Sequence, residues 1–180
     1  MAISGDIVLQ TERLYLRELT ADDFFSLCKI LQDKEVMYAY EHAFSDKEVT
    51  EWLNKQIGRY SADGFGLWAV ILKKSGEMIG QCGLTKQDCN NKTVVEIGYL
   101  FQKAYWHCGY ATESAIACKN YAFNTLHIGE VYSIIRSNNL ASQKVALNNG
   151  MTATDTLLKH YYNMDMPHIV FSVKNPLLTV

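Results

Sequence analysis

No run of apolar residues approaches the ~20 needed to cross a bilayer. The first residues, Met1 to Asp6, carry neither a basic cluster nor a long apolar stretch. Both absences argue against a membrane-spanning or exported chain, so the expected compartment is the cytoplasm. Neither sign of charge is in excess: 17 Lys and Arg stand against 19 Asp and Glu, a formal net charge of −2. A nucleic-acid surface needs a basic excess, so no nucleic acid and no membrane is expected as a partner. The chain also lacks a dense acidic cluster, which weighs against a polycationic partner. No C-x-x-C pair occurs. The five cysteines, Cys28, Cys82, Cys89, Cys108 and Cys118, are scattered and odd in number, without the His/Cys spacing of a zinc site. Reduced thiols, no structural disulfide and no metal are the expectation, and in that compartment the Asn91-Lys92-Thr93 sequon carries no weight. Gly64-Phe65-Gly66 lacks the third glycine and the following helix of a dinucleotide fingerprint and reads as a turn.

What is present is a globular composition. With 180 residues and 48% apolar content, the chain has the length of one domain, expected to run over 1–180, and can bury a sizeable core. Residues 1–10 read as a loose arm. Thr11 to Leu19 alternates, with Leu14 and Leu16 against Arg13, Tyr15 and Arg17, which predicts an antiparallel, half-buried strand. Thr20 then caps a helix whose buried stripe is Phe24, Leu27, Cys28 and Leu31. Ser45 and Glu48 form a capping-box pattern ahead of a second helix with Val49, Trp52, Leu53 and Gln56 inward. An antiparallel meander follows: strands at 67–73, 78–87 and 93–101, turning at Ser75-Gly76 and over Asp88–Lys92. A helix at 109–126 leads into the apolar strand Val131–Arg136. After a helical crossover that strand should lie parallel to 93–101. A short helix ends at Gly150, and two or three strands close the chain at 153–158, 160–163 and 168–174.

The rest is organised around Tyr105-Trp106-His107-Cys108-Gly109-Tyr110-Ala111-Thr112-Glu113-Ser114-Ala115. A strand, a short loop with a glycine and a helix opening on small residues is a geometry for holding phosphate. The first helical turn offers free N–H groups and the positive end of the dipole. Gly109 has no Cβ to block close approach. Trp106 to Ala111 resembles the acyl-CoA loop of the GNAT superfamily of N-acetyltransferases, with Trp where that motif has Gln or Arg, as in its RimJ/RimL-like (ribosomal-protein-alanine N-acetyltransferase-like) branch. His107 and Cys108 replace the usual small and basic residues. Thr11–Leu19 resembles the first strand of that branch. Asn139 to Met151, with Asn139 and Ser142 in register, resembles its N-x-x-S…G motif. The three motifs fall in family order, and the resemblance covers about residues 9–174.

The resemblance implies an α/β (α+β) GNAT fold: a mixed, mostly antiparallel sheet of about seven strands, splayed between strands 93–101 and 131–136 and flanked by about four helices. It implies acetyl-CoA as co-substrate, with no metal. The pantetheine arm would lie along the backbone of Tyr99, Leu100 and Phe101. The phosphates would sit on Trp106, His107, Cys108, Gly109, Tyr110, Ala111 and Thr112, and the sulfur end near Asn139 and Ser142. Asn139 also reads as a helix cap. The family's usual proton donor, a tyrosine four residues before the glycine, is Ala146 here. Ser142, water, Tyr161 or Tyr162 would then protonate the thiolate. Glu96 reads as the base, a lone carboxylate on a central apolar strand where burial raises its pKa. Glu113 reads as an early-helix charge that supports the dipole. The function implied is transfer of acetyl from acetyl-CoA to a primary amine, on a protein N-terminus or a small molecule. The alternative is an acyl-CoA-binding regulatory module without turnover. A homodimer is compatible with either.

Overall fold

The structure, a computed structural model, describes residues 5–161 and 163–178. Eight strands form one sheet: β1 (Ile7–Gln10), β2 (Leu14–Arg17), β3 (Leu67–Leu72), β4 (Met78–Cys89), β5 (Lys92–Phe101), β6 (Glu130–Arg136), β7 (Thr152–Tyr161) and β8 (Met164–Lys174). Four α-helices accompany them: α1 (Phe24–Leu31), α2 (Asp46–Asp63), α3 (Tyr110–Asn124) and α4 (Leu140–Asn148). The spatial order is β1-β2-β3-β4-β5-β6-β8-β7. All neighbours are antiparallel except β5 and β6, which run parallel, as a helical crossover between them requires. That parallel pair holds register at one point, Glu96 opposite Tyr132, and then separates.

Both faces of the central strands are covered, so β3 is buried along nearly its whole length. Trp68 and Val70 pack against α3 through Ala115, Cys118 and Ala122. Ala69 and Ile71 pack against Leu27, Ile30 and Leu31 of α1 and Val49 and Leu53 of α2. The capping box of α2 forms as its sequence predicts. Glu48 N–H donates to Ser45 Oγ at 3.4 Å, and Ser45 N–H donates to the Glu48 carboxylate at 2.8 Å. The helix stops at Gly64, whose φ of +77° suits a residue without Cβ. Gly83 serves a different need: a Cβ there would stand 2.1 Å from the Gly66 carbonyl oxygen where β4 crosses the start of β3.

Several expectations need correction. Residues 7–10 are a strand and not part of a loose arm, because β2 offers them an open edge. The strand expected over Thr11–Leu19 is regular only over Leu14–Arg17, and it is not half-exposed. Arg17 is buried and forks onto Asp23 through two 2.7 Å bonds. Asp23 is a first-turn acid, as its place after Thr20 suggests, and is also the buried partner of that guanidinium. The first helix buries Ile30 with Leu27 and Leu31, while Phe24 and Cys28 are only partly covered. The β4–β5 turn is two residues, Asn90 and Asn91 with φ of +47° and +64°, so both strands extend further than the meander pattern suggests. The chain closes with two long strands, the first continuous over Thr152–Tyr161 with one bulge.

Candidate active site

The loop between β5 and α3 is where the sequence places a phosphate site. A short 3-10 turn at Lys103–Tyr105 leads to Trp106, and α3 then starts after Gly109. His107 and Gly109 both lie in the left-handed region, at φ +61° and +81°. Backbone of alternating hand turns consecutive N–H groups to one side, the concavity that anions occupy. Among the described residues, no carbonyl or side chain accepts from the N–H groups of His107, Cys108, Gly109, Tyr110, Ala111 or Thr112; the first helical bond runs from Glu113 N–H to the Gly109 carbonyl. These unpaired donors at a helix N-terminus fit a pyrophosphate. Cys108 is exposed, with its Sγ 3.4 Å from the Trp106 carbonyl. All five thiols are free, although Cys82 and Cys118 bring their sulfurs to 3.6 Å inside the core.

Trp106 is part of the frame. Its indole N–H donates to the Phe101 carbonyl at 3.0 Å, and its ring packs into both halves of the core. The Phe101 side chain is itself buried, so it can offer only backbone to a ligand. The structure adds two residues that sequence reasoning missed. Arg13, in the turn just before β2, donates to the Cys108 carbonyl at 3.0 Å, stacks 4.4 Å over the Tyr110 ring and pairs with Glu113 at 2.6 Å. Thr11 donates to Glu113 Oε1 at 2.6 Å. Glu113 is therefore a clamp between the β1–β2 turn and α3, beyond any support of the dipole. Burial opposes its ionisation, but the bonds from Thr11 and Arg13, with the Arg13 charge, outweigh that and hold its carboxyl below the usual range. No local pattern could have revealed this clamp, since its members lie about a hundred positions apart.

Where β5 and β6 part, a cavity of about 400 Å³ opens. Its wall takes Lys55, Gln56 and Arg59 from α2, on one face of the sheet, and Asn139 and Ser142 from the start of α4, on the other. It is thus a passage through the splay. Asn139 Oδ1 accepts from Ser142 N–H at 3.0 Å and caps α4. Tyr99 donates its hydroxyl to the Ser142 carbonyl at 2.8 Å, tying β5 to α4 across the gap. Burial pushes the Tyr99 phenol pKa far upward, so it stays protonated. Both bonds to Ser142 use its backbone; its Oγ has no partner among the described residues. Ala146 is core. Tyr161 reaches the cavity wall, while Tyr162 lies outside the described residues.

Glu96 sits at the apex of the splay and lines the cavity. Its Oε1 accepts from Ile134 N–H at 3.0 Å, bridging the two strands below the opening. Burial raises its pKa above the ordinary carboxylate value; the Ile134 bond and the charges of Lys159 and Arg59 oppose that without cancelling it. Opposite, Tyr40, Phe44 and Trp52 meet edge to face with centroids 5.9–6.4 Å apart. His168 also lines the wall and was not anticipated. Its Nδ1 is 2.7 Å from the Met166 carbonyl, which makes that nitrogen the N–H donor and leaves Nε2 as an acceptor. Burial lowers its pKa, keeping the ring neutral at pH 7. No group of three metal-ligating side chains occurs among the described residues, and no described helix is long and apolar enough to cross a membrane.

A family model described as an acetyltransferase (GNAT) domain matches residues 13–152. YkkB of Bacillus subtilis, an uncharacterized protein, is 37% identical over 84% of this chain and 88% of its own length. The FsC-acetyl coenzyme A-N(2)-transacetylase of Aspergillus fumigatus is 30% identical over 89% of this chain and 72% of its own. Among solved structures, a GNAT-family acetyltransferase from Bacillus anthracis superposes with a TM-score of 0.80 at 22% identity, over 92% of this chain and 97% of that one. RimL, a ribosomal L7/L12 alpha-N-protein acetyltransferase solved with coenzyme A, gives 0.77 at 18% identity over 94% and 98%. At such identities these two structures show a shared fold.

Proposed function

The chain belongs to the GNAT family of acetyltransferases, and from that premise we propose that it moves an acetyl group from acetyl-CoA to a primary amine. The observations that carry this reading are the cavity in the splay, lined by the half-buried Glu96 with its raised pKa, and the run of unpaired N–H groups in the loop that β5 leads into. The Aspergillus relative, named for acetyl coenzyme A and N(2), supports the same donor and a nitrogen acceptor. The loop at Tyr105–Ala115 and the strand around Leu14–Arg17 support a reading within the RimJ/RimL-like branch.

Acetyl-CoA supplies an acetyl group already activated as a thioester. The N–H groups of the 107–112 loop hold its phosphates, and the open edge of β5 at Tyr99, Leu100 and Phe101 receives the pantetheine. Asn139 and the tie from Tyr99 fix the first turn of α4, which sets Ser142 Oγ at the sulfur end. An acceptor amine arrives mostly protonated at pH 7, with a pKa near 10 if it resembles lysine and near 8 if it is an α-amine. Glu96 takes that proton, directly or through water, and positioning supplies much of what remains. Ser142 or water returns a proton to the thiolate, which is itself a good leaving group. Thiol release from acetyl-CoA, measured against a panel of amines, tests the reading. Binding of acetyl-CoA with no release for any amine would leave only the second reading, an acyl-CoA-binding module.

A further inference from the structure

We propose that the acceptor end of the cavity is an anion site, and that the amine acetylated here belongs to a molecule that also carries a carboxylate or phosphate group. This rests on the reading of the cavity as the acceptor site and narrows its substrate class. Lys55 and Arg59 stand one turn apart on α2 and so share a face. Lys159 joins them from β7. None of the three makes an ion pair among the described residues, whereas Arg136, the fourth cation of the lining, is paired with Glu41. Glu96 is the single acidic residue on the described wall, and one of its oxygens is already held by Ile134 N–H. Asp63, whose field reaches Arg59, is engaged by Lys86 at 2.8 Å. The whole chain carries a net charge of −2, so three unpaired cations around one cavity do not reflect the general composition.

Arg59 is also pre-set. Its Nη1 donates to Gln56 Oε1 at 2.9 Å, and the same oxygen receives Leu67 N–H. Gln56 is fully buried, and its Nε2 has no acceptor. A half-buried guanidinium beside an unspent buried donor is costly to keep unless a ligand brings negative oxygen. A polyamine would meet repulsion along the same wall. An amine with an acidic group sets its anion against Arg59, Lys55 and Lys159 and leaves its nitrogen to Glu96.

The test has two arms. In the first, CoA-saturated protein is titrated with succinate or inorganic phosphate, neither of which can be acetylated, and melting temperature is followed. The expected result is a rise at millimolar anion that is lost in Arg59→Gln and reduced in Lys159→Gln, a substitution on an edge strand that keeps the fold. The anion giving the larger rise distinguishes a carboxylate from a phosphate ligand. In the second arm, thiol release is compared for amino acids against their neutral amides, for O-phosphoethanolamine against ethanolamine, and for spermidine. An anionic amine should exceed its neutral match at least about tenfold in kcat/KM, the size of one charge-assisted hydrogen bond, and Arg59→Gln should erase the difference. No shift with either anion, or equal shifts in wild type and both variants, overturns the proposal. So does turnover that favours neutral or cationic amines, which leaves the transferase reading standing. Anion protection without thiol release from any amine would keep the anion site and remove the transferase reading.

Discussion

The proposed donor end is one uninterrupted stretch, His107 to Thr112, whereas the proposed acceptor end draws Lys55 and Arg59 from α2, Glu96 from β5, Lys159 from β7 and His168 from β8. The first works through backbone N–H groups, which depend on local conformation and on one glycine. The second works through side-chain charge, which depends on what the sheet and helices bring together. A backbone site should therefore fail through a single change of backbone freedom and tolerate changes of side chain. A side-chain site should fail one function at a time.

The largest effect expected is at Gly109. Replacing it by Val forces a β-branched residue to a φ of +81° at the mouth of the N–H cluster. A ligand at 100 times its dissociation constant adds about 2.7 kcal/mol of stability. Gly109→Val should lose that CoA-dependent rise in melting temperature entirely, and activity with it, while the ligand-free protein still unfolds cooperatively. A ligand-induced shift of unchanged size would remove the backbone reading of the donor end.

Glu96→Gln comes next and should separate the two ends. It keeps the oxygen that accepts from Ile134 N–H and removes basicity. Expected is a fall in kcat/KM of about 10²-fold, within the usual range for losing a general base, with CoA affinity nearly unchanged. The wild-type pH profile should rise through a pKa that the variant lacks. Stability should move the other way. Because the folded-state pKa of Glu96 is raised by burial, the native protein holds this proton more tightly than the unfolded chain. Stability is then lost as pH rises from the unfolded value through the folded one. Glu96→Gln should therefore melt higher than wild type at pH 7, with the gain fading below the ordinary carboxylate pKa. If activity survives, His168, neutral and with Nε2 open, is the acceptor to replace next.

What the sequence made legible follows the same division. The strand–loop–helix around Gly109, the capping box of α2, the turn at Gly64 and the parallel crossover are encoded within a few turns of chain, and the structure contains each of them. Glu96 was visible because a lone carboxylate interrupts an apolar strand. Arg59, Lys159 and His168 were not, because on their own elements they look like ordinary solvent-facing residues. The order in which β8 and β7 follow β6 brings Lys159 and His168 to the cavity that Arg59 reaches from α2. Arg17 was misread for a related reason: alternation sets which way side chains point, and the packing of α1 decides whether that side is wet.

The clamp at Glu113 gives a smaller effect that sharpens the donor end. Glu113→Gln keeps the shape but loses the charge that holds Arg13 over Tyr110 and the Cys108 carbonyl. Arg13 is substantially exposed, at 42%, so the cost should be about 1 kcal/mol at most, the upper end for surface pairs. The folded-state pKa of Glu113 is lowered, so its contribution is present above the unfolded carboxylate pKa and is lost as pH falls through the folded value. Denaturation of wild type and variant should differ at pH 7 and converge in acid. CoA affinity should fall only modestly if the N–H groups bind by themselves, and steeply if the clamp sets their conformation.

The smallest effect is expected at Ser142, and there the geometry makes a clean experiment. Asn139 holds the Ser142 N–H and Tyr99 holds its carbonyl, and both contacts survive Ser142→Ala because both use backbone atoms. The substitution removes a hydroxyl with no partner among the described residues, so stability should change by less than about 0.5 kcal/mol. Asn139→Ala is the counterpart: it removes a helix cap worth about 1 kcal/mol and lets the first turn of α4 drift. A thiolate leaves readily without a proton, so donation by Ser142 should contribute less than the ~10²-fold typical of general acids. Expected is a fall in kcat of no more than about tenfold for Ser142→Ala, with unchanged KM for acetyl-CoA. Asn139→Ala should instead raise that KM and lower the melting temperature. If Ser142→Ala raised KM in the same way, the hydroxyl would be a binding contact and not a proton donor. If it changed neither constant, water would carry the proton, and Asn139 would be the residue of that pair that matters to turnover.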